Sequence, residues 1–116
     1  VIRQRAASVI QTKVAKNGGL WECAKLWTIA EAAGMRIYPG NFPSTSIATS
    51  SVLQLASSWS GPLLKGSFAY GLVSALAQDI VVDPLAVNGS EITVPEGPGL
   101  GVTLDEDALR LFRSDS

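Results

Sequence analysis

Lys13 is the residue of this sequence whose type and position best suit proton transfer. Residues 8–14 alternate as a strand does, which places Lys13 on the same face as Gln11 and leaves Ile10 and Val14 to pack against helices. The sequence contains no histidine, so the commonest general base is absent. Lysine, tyrosine or a carboxylate would have to move any proton. The alternative is that Lys13 is only a surface lysine at the end of a strand.

A polar loop and one tyrosine offer candidate contacts to a bound substrate. Asn41 and Ser44 follow the second predicted strand and present hydrogen-bond donors suited to a carboxylate. Capping of the next helix by Ser44 or Thr45 is the alternative. Tyr70, on a third predicted strand beside Phe68, is a further candidate for substrate binding, although aromatic residues on such a strand commonly pack in the core.

The elements that would position these side chains alternate between strand and helix. The predicted strands cover residues 8–14, 35–38 and 67–72, and the predicted helices cover residues 20–33, ended by Gly34, and a stretch with Ala48, Val52, Leu55 and Trp59 on one stripe. Such alternation indicates a parallel sheet. Three parallel strands leave two open edges and do not close a barrel, which needs eight. The sequence therefore predicts either a small open α/β domain or part of a larger barrel.

The last third of the chain changes character. Asn88-Gly89 lies between two apolar stretches and predicts a β-hairpin. Asp105 precedes Glu106 and Asp107, a pattern typical of the start of a helix. We expect a hairpin followed by one short helix.

Composition narrows the classes of partner. The formal net charge is −1 and only 16% of the residues are charged, which argues against nucleic acid or an anionic membrane as a partner. No apolar run approaches the roughly 20 residues that cross a bilayer. Cys23 is the single cysteine and cannot form an internal disulfide. We therefore expect a cytoplasmic protein that binds small molecules or other subunits.

Four ordered motifs resemble one enzyme family. Residues 9–19 (VIQTKVAKNGG) and 29–35 (IAEAAGM) are similar to the sixth βα unit of the muconate lactonising subgroup of the enolase superfamily. Residues 79–85 (DIVVDPL) and 94–102 (VPEGPGLGV) resemble the stretch by which that family leaves its barrel and returns to its capping domain. The resemblance covers essentially the whole chain, and muconate cycloisomerases match it best.

The resemblance implies an α/β fold that forms the C-terminal portion of a (β/α)8 TIM-type barrel. Residues 1–80 would supply β/α units six to eight, and residues 81–116 a hairpin and helix that pack toward an α+β capping domain. The family holds Mg²⁺ or Mn²⁺ with three acidic residues on middle strands, which would precede Val1. We therefore expect no metal ligand in this chain, and we expect a homo-oligomer.

The implied chemistry is interconversion of cis,cis-muconate and muconolactone through a metal-stabilised enolate. The catalytic lysine of the family's sixth strand aligns with Lys13 and not with Lys16, so Lys13 would move the proton next to a carboxylate of a small dicarboxylate. The chain alone would be inactive without the rest of the barrel and the capping domain. Many relatives carry a glutamate on strand eight where this sequence has Ala69, so the acid that protonates the product stays open.

Two other interpretations remain. The same fold serves dipeptide epimerases, acylamino-acid racemases and o-succinylbenzoate synthases, whose substrates are chosen largely by residues that would lie outside this chain. A non-catalytic α/β interaction domain, pairing through its strand edges, is the alternative from another class.

Overall fold

The computed structural model describes residues 1–64 and 76–113 of the 116-residue chain. None of the helices in this part of the chain is both long and apolar enough to span a membrane. In chain order the elements of the described residues are β1 (Val9–Lys13), α1 (Leu20–Ala32), β2 (Arg36–Gly40), α2 (Ser46–Ser58), β3 (Val87–Asn88), β4 (Glu91–Ile92) and α3 (Glu106–Leu111).

Strands β1 and β2 pair in parallel, with α1 as the crossover between them. Their register runs from Val9 opposite Arg36 to Lys13 opposite Gly40. Leu63 forms a further parallel bridge to Ile37, so β2 lies between β1 and the chain at Leu63. The predicted parallel arrangement is therefore confirmed for these segments. The third strand was predicted over residues 67–72, which lie outside the described residues. The parallel bridge from Leu63 to Ile37 lies just before them in the chain.

Helix α1 covers one face of the two strands with a compact apolar stripe. Cys23, Trp27 and Ala30 are at most 1% exposed and pack with Ile37 of β2. The predicted bounds are confirmed to within one residue. The predicted stop is confirmed too, because Gly34 follows α1 with φ +70°, a conformation that favours glycine. Trp27 lies at the centre of this stripe, where its indole reaches back to β1.

Helix α2 is buried largely through hydroxyl side chains. Val52 and Leu55 of the predicted apolar stripe are buried, but Ser46, Thr49 and Ser50 are fully buried as well. Small hydroxyl residues can be buried in this way when each finds a hydrogen-bond partner. The partner of Thr49 is Asn41, whereas those of Ser46 and Ser50 come from the last third of the chain.

The C-terminal segment packs on α2. The hydroxyl of Ser46 accepts a hydrogen bond from the Leu85 N–H at 3.0 Å, and the hydroxyl of Ser50 donates to the carbonyl of Leu100. The side chain of Gln54 donates to the carbonyl of Pro95 at 2.8 Å. These bonds join residues before residue 80 to residues after it. The division of the chain at residue 80 into barrel units and a returning segment stays a prediction.

The predicted hairpin and final helix are both present. Strands β3 and β4 pair antiparallel around Gly89 and Ser90, so the turn is centred one residue later than Asn88-Gly89. The carboxylate of Asp105 accepts hydrogen bonds from the N–H groups of Asp107 and Ala108, each at 3.0 Å, and so caps α3 as predicted.

Candidate active site

Strands β1 and β2 end at the same level, which brings two candidate segments together. Lys13 is the last residue of β1 and lies opposite Gly40, the last residue of β2, so the loop that starts at Asn41 leaves the sheet beside Lys13. A Cβ on Gly40 would come within 2.8 Å of the Gln11 side-chain nitrogen. Glycine at this position therefore allows the loop to leave close to the face that carries Gln11 and Lys13.

The facing of Lys13 follows from its neighbour. The Thr12 side chain is buried against α1, where its hydroxyl accepts a hydrogen bond from the indole N–H of Trp27 at 2.7 Å. Because side chains alternate along a strand, Lys13 points to the sheet face opposite α1. This is the side on which parallel α/β barrels place their reacting groups, at the carboxyl ends of the strands.

The backbone of Lys13 is held by the turn that follows it. Its N–H donates to the side-chain oxygen of Asn17 at 2.8 Å, and its carbonyl accepts from the N–H groups of Lys16 and Asn17 at 2.9 Å each. Asn17 therefore fixes the end of β1 through both its main chain and its side chain. The signal for this contact in the sequence is an asparagine before Gly-Gly, four residues after the lysine.

The ammonium group of Lys13 rests on an aromatic ring. Its Nζ atom lies 3.7 Å from the ring centroid of Phe42, within the range of a cation–π interaction. No ion pair among residues 1–64 and 76–113 involves Lys13. Phe42 was not predicted as a site residue, because nothing in its local sequence separates it from an ordinary exposed loop aromatic.

Asn41 and Ser44, predicted as substrate contacts, both bind the backbone of Phe42. The Asn41 carbonyl oxygen accepts from the Phe42 N–H at 2.9 Å, and the Ser44 hydroxyl donates to the Phe42 carbonyl at 3.0 Å. The Asn41 amide nitrogen donates to the hydroxyl of Thr49 at 3.0 Å. In this arrangement both side chains shape the loop, and their contact with a substrate stays a prediction.

Helix α2 begins beside this loop without a local side-chain cap. Thr45 occupies the N-cap position but makes no capping hydrogen bond, and Ser44 binds Phe42 instead. The carboxylate of Asp79 accepts from the N–H groups of Ser46 at 2.9 Å and Ile80 at 2.7 Å. The expectation that Ser44 or Thr45 caps the helix is therefore wrong, because a residue 33 positions away supplies the acceptor.

Comparison with known proteins identifies the family. Residues 1–108 match the family described as enolase C-terminal domain-like. The chain belongs to this family. The predicted resemblance is therefore confirmed, and so is the fold class, an α/β chain that forms the C-terminal portion of a (β/α)8 barrel.

The relatives of this enolase C-terminal domain-like chain carry related names. A chloromuconate cycloisomerase of Cupriavidus pinatubonensis is 35% identical over 112 residues, covering 97% of this chain and 30% of the relative. Muconate cycloisomerase 1 of Pseudomonas putida is 37% identical over 111 residues, covering 92% of this chain and 28% of the relative. The chain thus spans about 30% of the length of the curated relatives that it matches.

Solved structures agree closely with the fold. The muconate cycloisomerase from Pseudomonas fluorescens superimposes with a TM-score of 0.88 at 32% identity, over 98% of this chain and 31% of that structure. The muconate lactonizing enzyme from Klebsiella pneumoniae gives a TM-score of 0.86 at 31% identity, with the same coverage.

The metal centre that the resemblance implies was expected on strands that precede Val1, and the described residues offer no complete site for it. Within residues 1–64 and 76–113 no three histidine, cysteine, aspartate or glutamate side chains are grouped so that they could hold an ion. The Asp79 carboxylate, close to the candidate site, is used by two backbone N–H groups. These side chains therefore do not fit Mg²⁺ or Mn²⁺.

Two predictions on the expected eighth strand concern residues that the structure does not describe. Tyr70, predicted as a substrate contact, and Ala69, which stands where many relatives carry a glutamate, both lie outside the described residues. The role of Tyr70 stays a prediction from the sequence.

Behind the candidate site, the Trp27 indole also packs edge-on against Trp59, with ring centroids 5.5 Å apart. Cys23 lies in the same buried layer. Burial raises the pKa of the Cys23 thiol, and a hydrogen bond with Thr12 acts in the opposite direction. This thiol belongs to the packed support of β1 and not to the face that carries Lys13.

Proposed function

We propose that this chain forms part of a muconate cycloisomerase-type intramolecular lyase, which interconverts cis,cis-muconate and muconolactone. The proposal is supported by the family, by relatives at 35–37% identity that carry cycloisomerase names, and by the position of Lys13. The observation that carries it is the joint ending of β1 and β2, which sets Lys13 at the carboxyl edge of the sheet on the face opposite α1.

Lys13 is the proposed acid and base. In the lactonising direction one carboxylate adds across a double bond, and the carbon next to the other carboxylate takes up a proton; the reverse direction removes that proton. The Lys13 ammonium is the donor in the first case, and its amine is the acceptor in the second. An ammonium on a four-carbon stem reaches well beyond the strand, and the Asn17 turn fixes the point from which it reaches.

The remaining parts of the enzyme lie outside the described residues in this proposal. Binding of Mg²⁺ or Mn²⁺, a second lysine on the opposite side of the substrate and the capping domain are assigned to the part of the relatives that this chain does not span. A small dicarboxylate as substrate, assembly into a homo-oligomer and a cytoplasmic location belong to the same proposal. Measurement of bound metal on the complete protein, with and without a chelator, tests the first assignment.

A second enzyme function is kept because of one sequence position. Ala69 stands where many lactonising relatives carry a glutamate. In this second candidate function, the substrate or the stereochemical course therefore differs from that of those relatives. A dipeptide epimerase, an acylamino-acid racemase or an o-succinylbenzoate synthase would use the same Lys13 geometry. Turnover of cis,cis-muconate against a set of dipeptides, N-acylamino acids and the o-succinylbenzoate precursor separates these functions. The family match weighs against the non-catalytic interaction domain.

The deciding experiment replaces Lys13 in the complete protein. Lys13→Ala is expected to lower kcat by about 10³-fold, the usual scale for loss of a positioned acid or base, while the fold and the metal content stay unchanged. Lys16→Ala is the matched control, because Lys16 is exposed three residues further on and binds Lys13 only through its backbone. Equal activity of the two variants would overturn the assignment of Lys13.

A further inference from the structure

We propose that Phe42 is a positioning residue for the ammonium group of Lys13, and that Asn41 and Ser44 hold Phe42 in place for this task. The inference rests on the proposed function, because it gives Lys13 the work of moving the proton. Phe42 was not predicted as a site residue from the sequence. It lies in the loop whose Asn41 and Ser44 were predicted to contact the substrate.

The contact between the Lys13 ammonium and the Phe42 ring has the geometry of a cation–π interaction. The Nζ atom of Lys13 lies 3.7 Å from the Phe42 ring centroid, and the face of an aromatic ring attracts a cation. A lysine side chain has four rotatable bonds and a charge that water solvates well. The ring therefore does two things at once: it restricts where the ammonium lies, and it covers one side of the ammonium against water.

The ring is supported from both sides of its own backbone. The Phe42 N–H donates to Asn41 and its carbonyl accepts from the Ser44 hydroxyl, at 2.9 and 3.0 Å. Asn41 is in turn bonded to the hydroxyl of Thr49, a fully buried residue of α2. A chain of contacts thus links buried Thr49 of α2, through Asn41 and the Phe42 ring, to the ammonium of Lys13.

Apolar packing among the described residues does not account for this placement. Phe42 is 41% exposed in this chain, so the described residues leave much of its surface uncovered. Its ring is also not among the residues that form the apolar cluster around Trp27 and Ile37. Two hydrogen bonds hold the Phe42 backbone, and its ring lies on the Lys13 ammonium, which is the placement that a positioning residue needs.

The test compares ring-free and ring-bearing variants of the complete enzyme. Phe42→Leu keeps apolar bulk and removes the ring, and it is expected to lower kcat about tenfold or more, because small losses of alignment at a reacting group are costly. KM should stay within about twofold of the wild-type value, since this contact is to Lys13 and not to the substrate. Phe42→Tyr keeps a ring face and is expected to restore kcat to within about twofold.

A second measurement reports the proton directly. Exchange of deuterium from D2O into muconolactone, at the carbon next to the carboxylate, is expected to slow in Phe42→Leu by about the same factor as kcat. Phe42→Met, also without a ring, replaces Phe42→Leu if the latter does not give the wild-type circular dichroism spectrum. A raised KM with unchanged kcat and exchange would overturn the inference and make Phe42 a wall of the substrate site.

Failure of this inference is distinguishable from failure of the proposed function. If Lys13→Ala loses turnover while Phe42→Leu matches the wild type in kcat and exchange, only the inference is wrong. If Lys13→Ala retains turnover, the role of Lys13 is wrong and the positioning role of Phe42 falls with it. Loss of kcat and exchange in Phe42→Leu, with recovery in Phe42→Tyr, supports both.

Discussion

The indole N–H of Trp27 donates a hydrogen bond to the hydroxyl of Thr12 at 2.7 Å, which ties α1 to the strand that carries Lys13. Thr12 is 3% exposed and Trp27 is 1% exposed, so the bond is closed off from water. Together with strand alternation, this bond fixes which way Lys13 faces. The support of the candidate site is therefore a buried polar contact inside an otherwise apolar layer.

Replacing Thr12 by valine tests this support. Thr12→Val keeps the shape of the side chain but leaves the Trp27 N–H buried without an acceptor, which costs about 1–3 kcal/mol of unfolding free energy. Denaturant unfolding of the complete protein measures the loss. Thr28→Val is the control, because the Thr28 hydroxyl bonds the Ala24 carbonyl on an exposed part of α1 and its loss should stay within about 0.5 kcal/mol. Equal losses would contradict the importance of the buried bond.

The remote cap of α2 gives a second prediction. Asp79→Ala removes the acceptor for the Ser46 N–H at the start of α2 and is expected to cost about 1–2 kcal/mol of stability, on the scale of other N-cap losses. Hydrogen exchange of the Ser46 amide should accelerate more than that of amides in α1. Asp83→Ala is the matched control, since Asp83 is exposed. Unchanged exchange at Ser46 would show that the cap contributes nothing.

The turn at residues 97–101 gives a third prediction. Gly101 has φ +72°, and a Cβ there would lie 2.7 Å from the Pro95 carbonyl oxygen. Gly99 has φ +67° with nothing within 4 Å of its Cβ position. Gly99→Ala should therefore cost about 1 kcal/mol for its backbone conformation alone, and Gly101→Ala clearly more. Thermal unfolding of the two variants isolates the steric part, and equal melting temperatures would contradict it.

The Cys23 thiol gives a prediction on pH. Burial raises its pKa above the value in the unfolded chain, against the opposing hydrogen bond with Thr12. A raised pKa in the folded state means that this contribution to stability is complete below the ordinary thiol pKa and is lost as pH rises through the raised value. Unfolding free energy should therefore fall between about pH 7 and pH 10 by less in Cys23→Ala than in the parent protein. Identical pH dependences would refute this.

Thiol chemistry provides an independent check on Cys23. Because the side chain is fully buried, a thiol reagent should modify it at the rate of unfolding in the native protein and at once in denaturant. Rapid modification in native buffer would show that the layer beneath β1 opens locally.

Local sequence patterns predicted the elements that depend on near neighbours. The alternation around Lys13 gave the strand and its facing, the apolar spacing and Gly34 gave the helix and its end, and Asp105 gave the start of α3. Each of these depends on contacts within a few residues. The family motifs, spread over the whole chain, supplied the barrel that three strands alone did not specify.

The contacts that shape the candidate site needed the tertiary structure. Ser44, Thr45 and Asn41 all carry side chains suited to a cap or a substrate, and their local sequence does not say which partner wins. Asp79, 33 residues away in sequence, supplies the acceptor at the start of α2. The ring of Phe42 contacts Lys13 because β1 and β2 end at the same level. The sequence alone determined which residues were capable of the chemistry. Packing of distant segments decided which of them lie next to Lys13, because hydrogen-bond partners are chosen by proximity in space.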